Sequence, residues 1–341
     1  MVFKKIFYSL VLIAVIFIAF NFFQSKKIGT GADRNTKYEL VKNWPSLGAE
    51  ITLGNPTGLG IDTNQNIVVF HRGERKWPLL GAMPDNYIKS KTIFILDKKT
   101  GKIIESWGDN LFIMPHGLTI DKENNIWVTD VGLNQIFKFS HQGKLLMKLG
   151  EAKVAGDGLT HFNKPTDIAV CKDGSFYVSD GYGNNRIIKF SVNGKYLFEW
   201  GKKGSKPGEF NIPHAIDLDE NENIYVADRE NSRIQIFDSS GRFLKQLTGK
   251  SFGNITSVAF DKRKTKLYAT DDCSFFKIKH RGSDIFIFDT SGTVQTRFGR
   301  SGLYDGQVCW YHDIAIDNEE NIYTGDILGN TIQKFKKVSN K

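Results

Sequence analysis

Cysteine is nearly missing from this chain. Cys171, Cys273 and Cys309 form a small and odd set, which excludes a disulfide framework and leaves room for one bridge at most. Proline is scarce too, at 8 residues against 33 Gly and 26 Phe, and short β-branched and aromatic runs are frequent. That balance suits many short strands joined by tight turns. The net charge of +9 is spread along the 341 residues without a Lys/Arg block. A nucleic-acid module is therefore not expected, and a solvated basic surface is.

What is present begins with one long apolar run. After Lys4 and Lys5, Ile6 to Phe23 contains only Ser9 and Asn21 as breaks, long enough for a helix to cross a bilayer. Residues 1–27 are expected to be a signal anchor or a signal peptide. Residues 28–36 then form a linker. The body would be held at a membrane outside the cytoplasm, or be secreted or periplasmic if the leader is removed.

From residue 37 onward one unit recurs six times. A short apolar strand begins at Thr57, His116, Thr166, His214, Thr256 and His312, and a second ends at His71, Asp130, Asp180, Asp228, Asp271 and Asp326. The offset is 14 residues in five units and 15 in the one starting at Thr256. Two further strands flank a turn glycine in each of the first five units: Gly101, Gly143, Gly194, Gly241 and Gly292. Four antiparallel strands repeated six times describe an all-β fold, a six-bladed β-propeller. The sixth unit lacks its last strand. Residues 37–45 have strand character and no other home, so they are expected to complete that blade and close the ring.

In a propeller the first strand of each blade lines the central channel, and successive blades are related by about 60°. The six strand-start residues read Thr, His, Thr, His, Thr, His, with 98 residues between His116 and His214 and again between His214 and His312. Three imidazoles from alternate blades should then meet around the channel axis, as in three-histidine zinc sites with an open fourth position. The second strands end at the same mouth. Arg72, Tyr182, Arg229, Asp272 and Cys273 follow there or nearby, and the two arginines share one repeat position in opposite blades. The recurrent aspartates are expected to stabilise turns. Cys273 and Cys309 fall on this face, where one disulfide is open to them.

These residues resemble the peptidyl-α-hydroxyglycine α-amidating lyases, relatives of the NHL-repeat propellers. The resemblance spans residues 50–335. It rests on Phe70-His71-Arg72-Gly73, Leu111 to Leu118, Trp127 to Val131, His161-Phe162, Pro165-Thr166-Asp167, Ser179 to Tyr182, Pro213-His214, Ala227 to Asn231 and His312-Asp313. It implies zinc on His116, His214 and His312, with Tyr182 as general base between Arg72 and Arg229. It also implies a structural calcium held by the carbonyls of Leu59 and Leu118 and the carboxylate of Asp313, hard oxygen donors such as calcium takes. The implied substrate is a peptide or small molecule ending in α-hydroxyglycine, cleaved to an amide and glyoxylate. Two other readings stay open: a metal-dependent lactonase-like hydrolase, and a non-catalytic propeller that binds peptides or glycans.

Overall fold

The computed structural model describes residues 37–78, 82–250, 252–261, 263–272, 282–299 and 309–338. The proposed leader, the proposed linker and Cys273 lie outside these residues. Among the described residues no helix is long and apolar enough to cross a membrane.

Each repeat folds as a four-stranded antiparallel sheet, and there are six of them. Blade one runs from Pro56 to Trp107, blade two from Pro115 to Leu149, blade three from Asp167 to Trp200. Blade four runs from Pro213 to Thr248, blade five from Asn254 to Phe298, and blade six from Tyr311 to Lys337. Tyr38–Leu40 is the outermost strand of blade six, with Tyr38 opposite Lys337 and Leu40 opposite Phe335. The first and last parts of the domain thus share one sheet, and the ring has no open seam.

Burial follows position in the blade. Second strands such as Phe176–Asp180 are buried throughout, whereas the outer strand Tyr196–Trp200 alternates between half-buried and exposed. Apolar side chains from the facing sheets fill the space between neighbours. Val68, Phe70 and Ile95 of blade one meet Ile126, Val128 and Phe139 of blade two. The turn glycines are part of this packing. At Gly143 and Gly241, with φ of 83° and 80°, a Cβ would lie 2.9 and 2.8 Å from the indoles of Trp107 and Trp200 in the preceding blade.

The repeated aspartates tie each blade to the connection that enters it. Asp130 accepts from the backbone N–H groups of Ile113, Met114, Gly132 and Leu133 at 2.8 to 2.9 Å. Asp180, Asp228 and Asp326 accept in the same way from Asn163, Asn211 and Trp310. Blade one has His71 instead, and its Nδ1 takes the N–H groups of Gly73 and Gly54 at 3.1 and 3.4 Å. Asp130→Ala should therefore destabilise the domain by about 3 kcal/mol, since it leaves several buried donors without an acceptor. Chemical denaturation checks this, and a loss near zero would show that the aspartate is not needed for stability.

Candidate active site

The first strands carry an irregularity that the repeat alone does not reveal. Pairing with the second strand slips between Pro213 and Ala215, between Tyr311 and Asp313, and between Pro115 and Leu118. His214 and His312 are the skipped residues, and His116 is skipped together with Gly117. A bulge of this kind re-aims a side chain that a regular ladder would direct toward a neighbouring blade. Here all three imidazoles are buried and converge, with ring centroids 4.6 to 4.8 Å apart. One ring nitrogen from each lies within 4.8 Å of the others.

The threonines of the alternating pattern hold these rings. His116 Nδ1 lies 2.7 Å from the Thr166 carbonyl, His214 Nδ1 2.6 Å from that of Thr256, and His312 Nδ1 2.8 Å from that of Thr57. A carbonyl only accepts, so each Nδ1 carries the proton and each Nε2 keeps its lone pair. Every histidine is thus oriented by the strand-start residue of the next blade round the ring. Burial, aided by the charges of Arg72 and Arg229, pushes His312 down to about 3 and His116 and His214 well below the ordinary imidazole value. All three are neutral near pH 7, as metal ligands must be.

Tyr182 reaches over this cluster. Its Oη is 3.1 Å from His116 Nε2, 3.2 Å from His214 Nε2 and 3.3 Å from Arg229 Nη1. Arg229 also donates from Nε to Glu230 at 3.0 Å. Burial works to lower the Arg229 pKa, but Tyr182, Asp272 and Glu230 together outweigh it and hold the guanidinium above its ordinary value. Arg72 differs. It is 2% exposed and donates from Nε to the Pro115 carbonyl at 3.1 Å, and no described carboxylate pairs with it. Burial lowers it to about 10, with Tyr182 and Asp130 opposing, so it stays charged near neutral pH.

Further along the channel, Asp313 accepts from Leu59 N–H at 2.7 Å and from Ser257 Oγ at 2.5 Å, and so links blades one, five and six. Burial pushes its carboxyl up to about 7. Leu118 packs beside Gly58, next to Leu59. Two contributors were not singled out as site residues from sequence. Asp167 is a second channel carboxylate, half-buried, raised well above its usual range by desolvation and by Asp313, and it accepts from Ile216 N–H at 3.0 Å. Trp77 lies against Tyr182, with ring centroids 5.2 Å apart. Its signal in the sequence was an aromatic residue five positions after Arg72 in an unusually long connection. Cys309 is buried, but its suggested partner Cys273 lies outside the described residues.

Comparison with known proteins agrees with the propeller fold. A family model described as a 6-bladed beta-propeller matches residues 160–274, and an NHL repeat model matches residues 112–139. The chain is 42% identical over 208 residues to peptidyl-alpha-hydroxyglycine alpha-amidating lyase 2 of Drosophila melanogaster, across 57% of this chain and 50% of that protein. It is 37% identical over 314 residues to NHL repeat-containing protein 3 of Mus musculus, across 87% and 84%. It is 35% identical to peptidyl-glycine alpha-amidating monooxygenase B of Xenopus laevis over 89% of its own residues, and spans 36% of that protein's length. A streptogramin B lyase structure superposes with a TM-score of 0.55 at 14% identity, over 88% of this chain and 97% of that one, a likeness of fold.

Proposed function

The chain belongs to the peptidyl-α-hydroxyglycine α-amidating lyase family of NHL-repeat propellers, and we propose that it cleaves the C–N bond of substrates ending in α-hydroxyglycine, releasing an amide and glyoxylate. One observation carries the reading. A single phenol oxygen, that of Tyr182, sits within hydrogen-bond reach of two converging imidazole nitrogens and of Arg229.

The donor set fits zinc. Three neutral imidazoles protonated on Nδ1 turn their Nε2 atoms inward, and a three-histidine site keeps a position for substrate. Bound zinc would supply a Lewis acid for the substrate's α-hydroxyl oxygen. Tyr182, acting as its phenolate, would accept the hydroxyl proton. The former O–H electron pair then forms the glyoxylate C=O, and the C–N pair leaves on nitrogen. Tyr182 holds the proton that this nitrogen needs, so the residue ends as it began. Arg229 holds the phenol oxygen in place through its 3.3 Å contact. Arg72, a buried guanidinium with no described carboxylate partner, would take the substrate's terminal carboxylate.

Leu59, Leu118 and Asp313 are proposed to hold a structural calcium. The Asp313 oxygens already accept from protein donors, yet a carboxylate has about four lone-pair sites, and a cation would also relieve its burial. Residues 1–27 are proposed to tether the domain to a membrane. Tyr38 pairs with Lys337, the end of its strand remote from the mouth, so the chain would enter the propeller opposite the histidines.

The test is glyoxylate release from α-hydroxyhippurate by the metal-replete protein, with loss on chelation and recovery on adding zinc. Lactones are run in parallel. No glyoxylate from protein carrying a full complement of metal would overturn the lyase reading, and lactone turnover in its place would favour the hydrolase.

A further inference from the structure

Trp77 takes no part in the chemistry just described, yet the protein devotes an unusual segment to it. The connection between the second and third strands of blade one covers residues 72–92, where the matching connections of blades two, three, four and six are residues 131–134, 181–185, 229–232 and 327–330. The excursion is pinned on both sides of Trp77. Arg75 donates to the Asn86 side chain and carbonyl at 3.0 and 2.8 Å, and Glu74 accepts from Ser90 Oγ and Lys89 N–H at 2.6 and 3.3 Å. Ile88 exchanges backbone hydrogen bonds of 2.8 Å with Phe112 and Asn110 at the entry to blade two.

Held in this way, Trp77 and Met83 pack on the apolar cluster between blades one and two, beside Tyr182. The indole centroid is 5.2 Å from the phenol ring at 37°, and the Arg72 guanidinium carbon is 5.1 Å from the indole. One ring therefore touches both the proposed base and the proposed carboxylate anchor. Tyr182 needs such support. It is flanked by Gly181 and Gly183; its backbone N–H donates to the Lys164 carbonyl at 3.4 Å, its side-chain hydrogen bonds all fall on Oη, and the Arg229 guanidinium carbon lies 5.3 Å from the ring. The plane of the phenol is set by what packs on it, and an indole offers a tilted aromatic contact on one side and a cation–π surface to Arg72.

We propose that Trp77 is a positioning residue, which holds the phenol of Tyr182 over the histidine nitrogens and the guanidinium of Arg72 next to it. The inference rests on the lyase reading above. Two variants test it: Trp77→Leu keeps an apolar side chain without a ring, and Trp77→Phe keeps a ring. Trp77→Leu should lower kcat for α-hydroxyhippurate by about tenfold or more, the scale of loss from small misplacements of reacting groups. Metal per chain should stay at the wild-type level, and Trp77→Phe should recover most of the loss. Wild-type kcat in Trp77→Leu, or equal losses in both variants, would overturn the proposal. If the wild-type protein releases no glyoxylate, the lyase reading fails, and crystal structures decide the positioning question by themselves. A Tyr182 oxygen displaced from His116 and His214 in Trp77→Leu supports it; an unmoved phenol refutes it.

Discussion

Tyr182→Phe is expected to cut glyoxylate release by about 10²- to 10⁴-fold, the range associated with losing a general acid–base group, with bound metal unchanged. The substitution removes one atom and little else. Phenylalanine retains the ring that meets Trp77 and packs on the cluster between blades one and two. The histidines do not depend on the phenol for their orientation, because each is held by a threonine carbonyl through Nδ1. A defect confined to turnover therefore separates chemistry from architecture. Near-wild-type turnover in Tyr182→Phe would remove Tyr182 from the mechanism and leave the metal site without its proposed base.

His214→Ala should have a different outcome, with the purified protein losing most of the zinc proposed for this site. Changes to groups that merely orient a ligand weaken metal binding by about 10- to 100-fold, and deleting a ligand should exceed that. The fold should survive the change. His214 is an extra residue at a bulge rather than a member of the strand ladder, and the apolar clusters between blades do not include it. The main local cost is the Thr256 carbonyl, which loses its 2.6 Å donor. Elemental analysis after gel filtration reads the result, and circular dichroism confirms the fold. Full metal content in a folded His214→Ala protein would sink the three-histidine centre.

The two substitutions also divide the readings of the protein. Loss of metal with His214→Ala and loss of turnover alone with Tyr182→Phe describe an enzyme built on a metal. A propeller that binds peptides without catalysis would show no turnover to lose. One relative, NHL repeat-containing protein 3, covered over 84% of its length, is named for its repeat alone. Measurement on this chain is therefore what assigns the chemistry.

Much of this protein was legible in its residues. The six blades follow from strand periodicity and turn glycines, which are local properties and repeat with a nearly constant offset. The threefold histidine set follows as well, since equal positions in equal repeats map onto equal positions around an axis. Arg72, Tyr182 and Arg229 could be placed at the mouth by the same reasoning. Tertiary structure alone decided how these groups are held. The bulges that release His214 and His312 from the ladder depend on pairing between strands and have no signature at one position. Nothing in the sequence assigns a role to the threonines that alternate with the histidines, and only the contact from one blade to the next shows their carbonyls fixing each imidazole. Trp77 and Asp167 came to the site for the same reason: they are remote in the chain from Tyr182 and Asp313, and ring closure is what brings them together. Repetition along the chain determined which blades and strand ends carry the functional residues; strand pairing and contacts across blades, which repetition does not encode, determined where they point, their protonation and their distances.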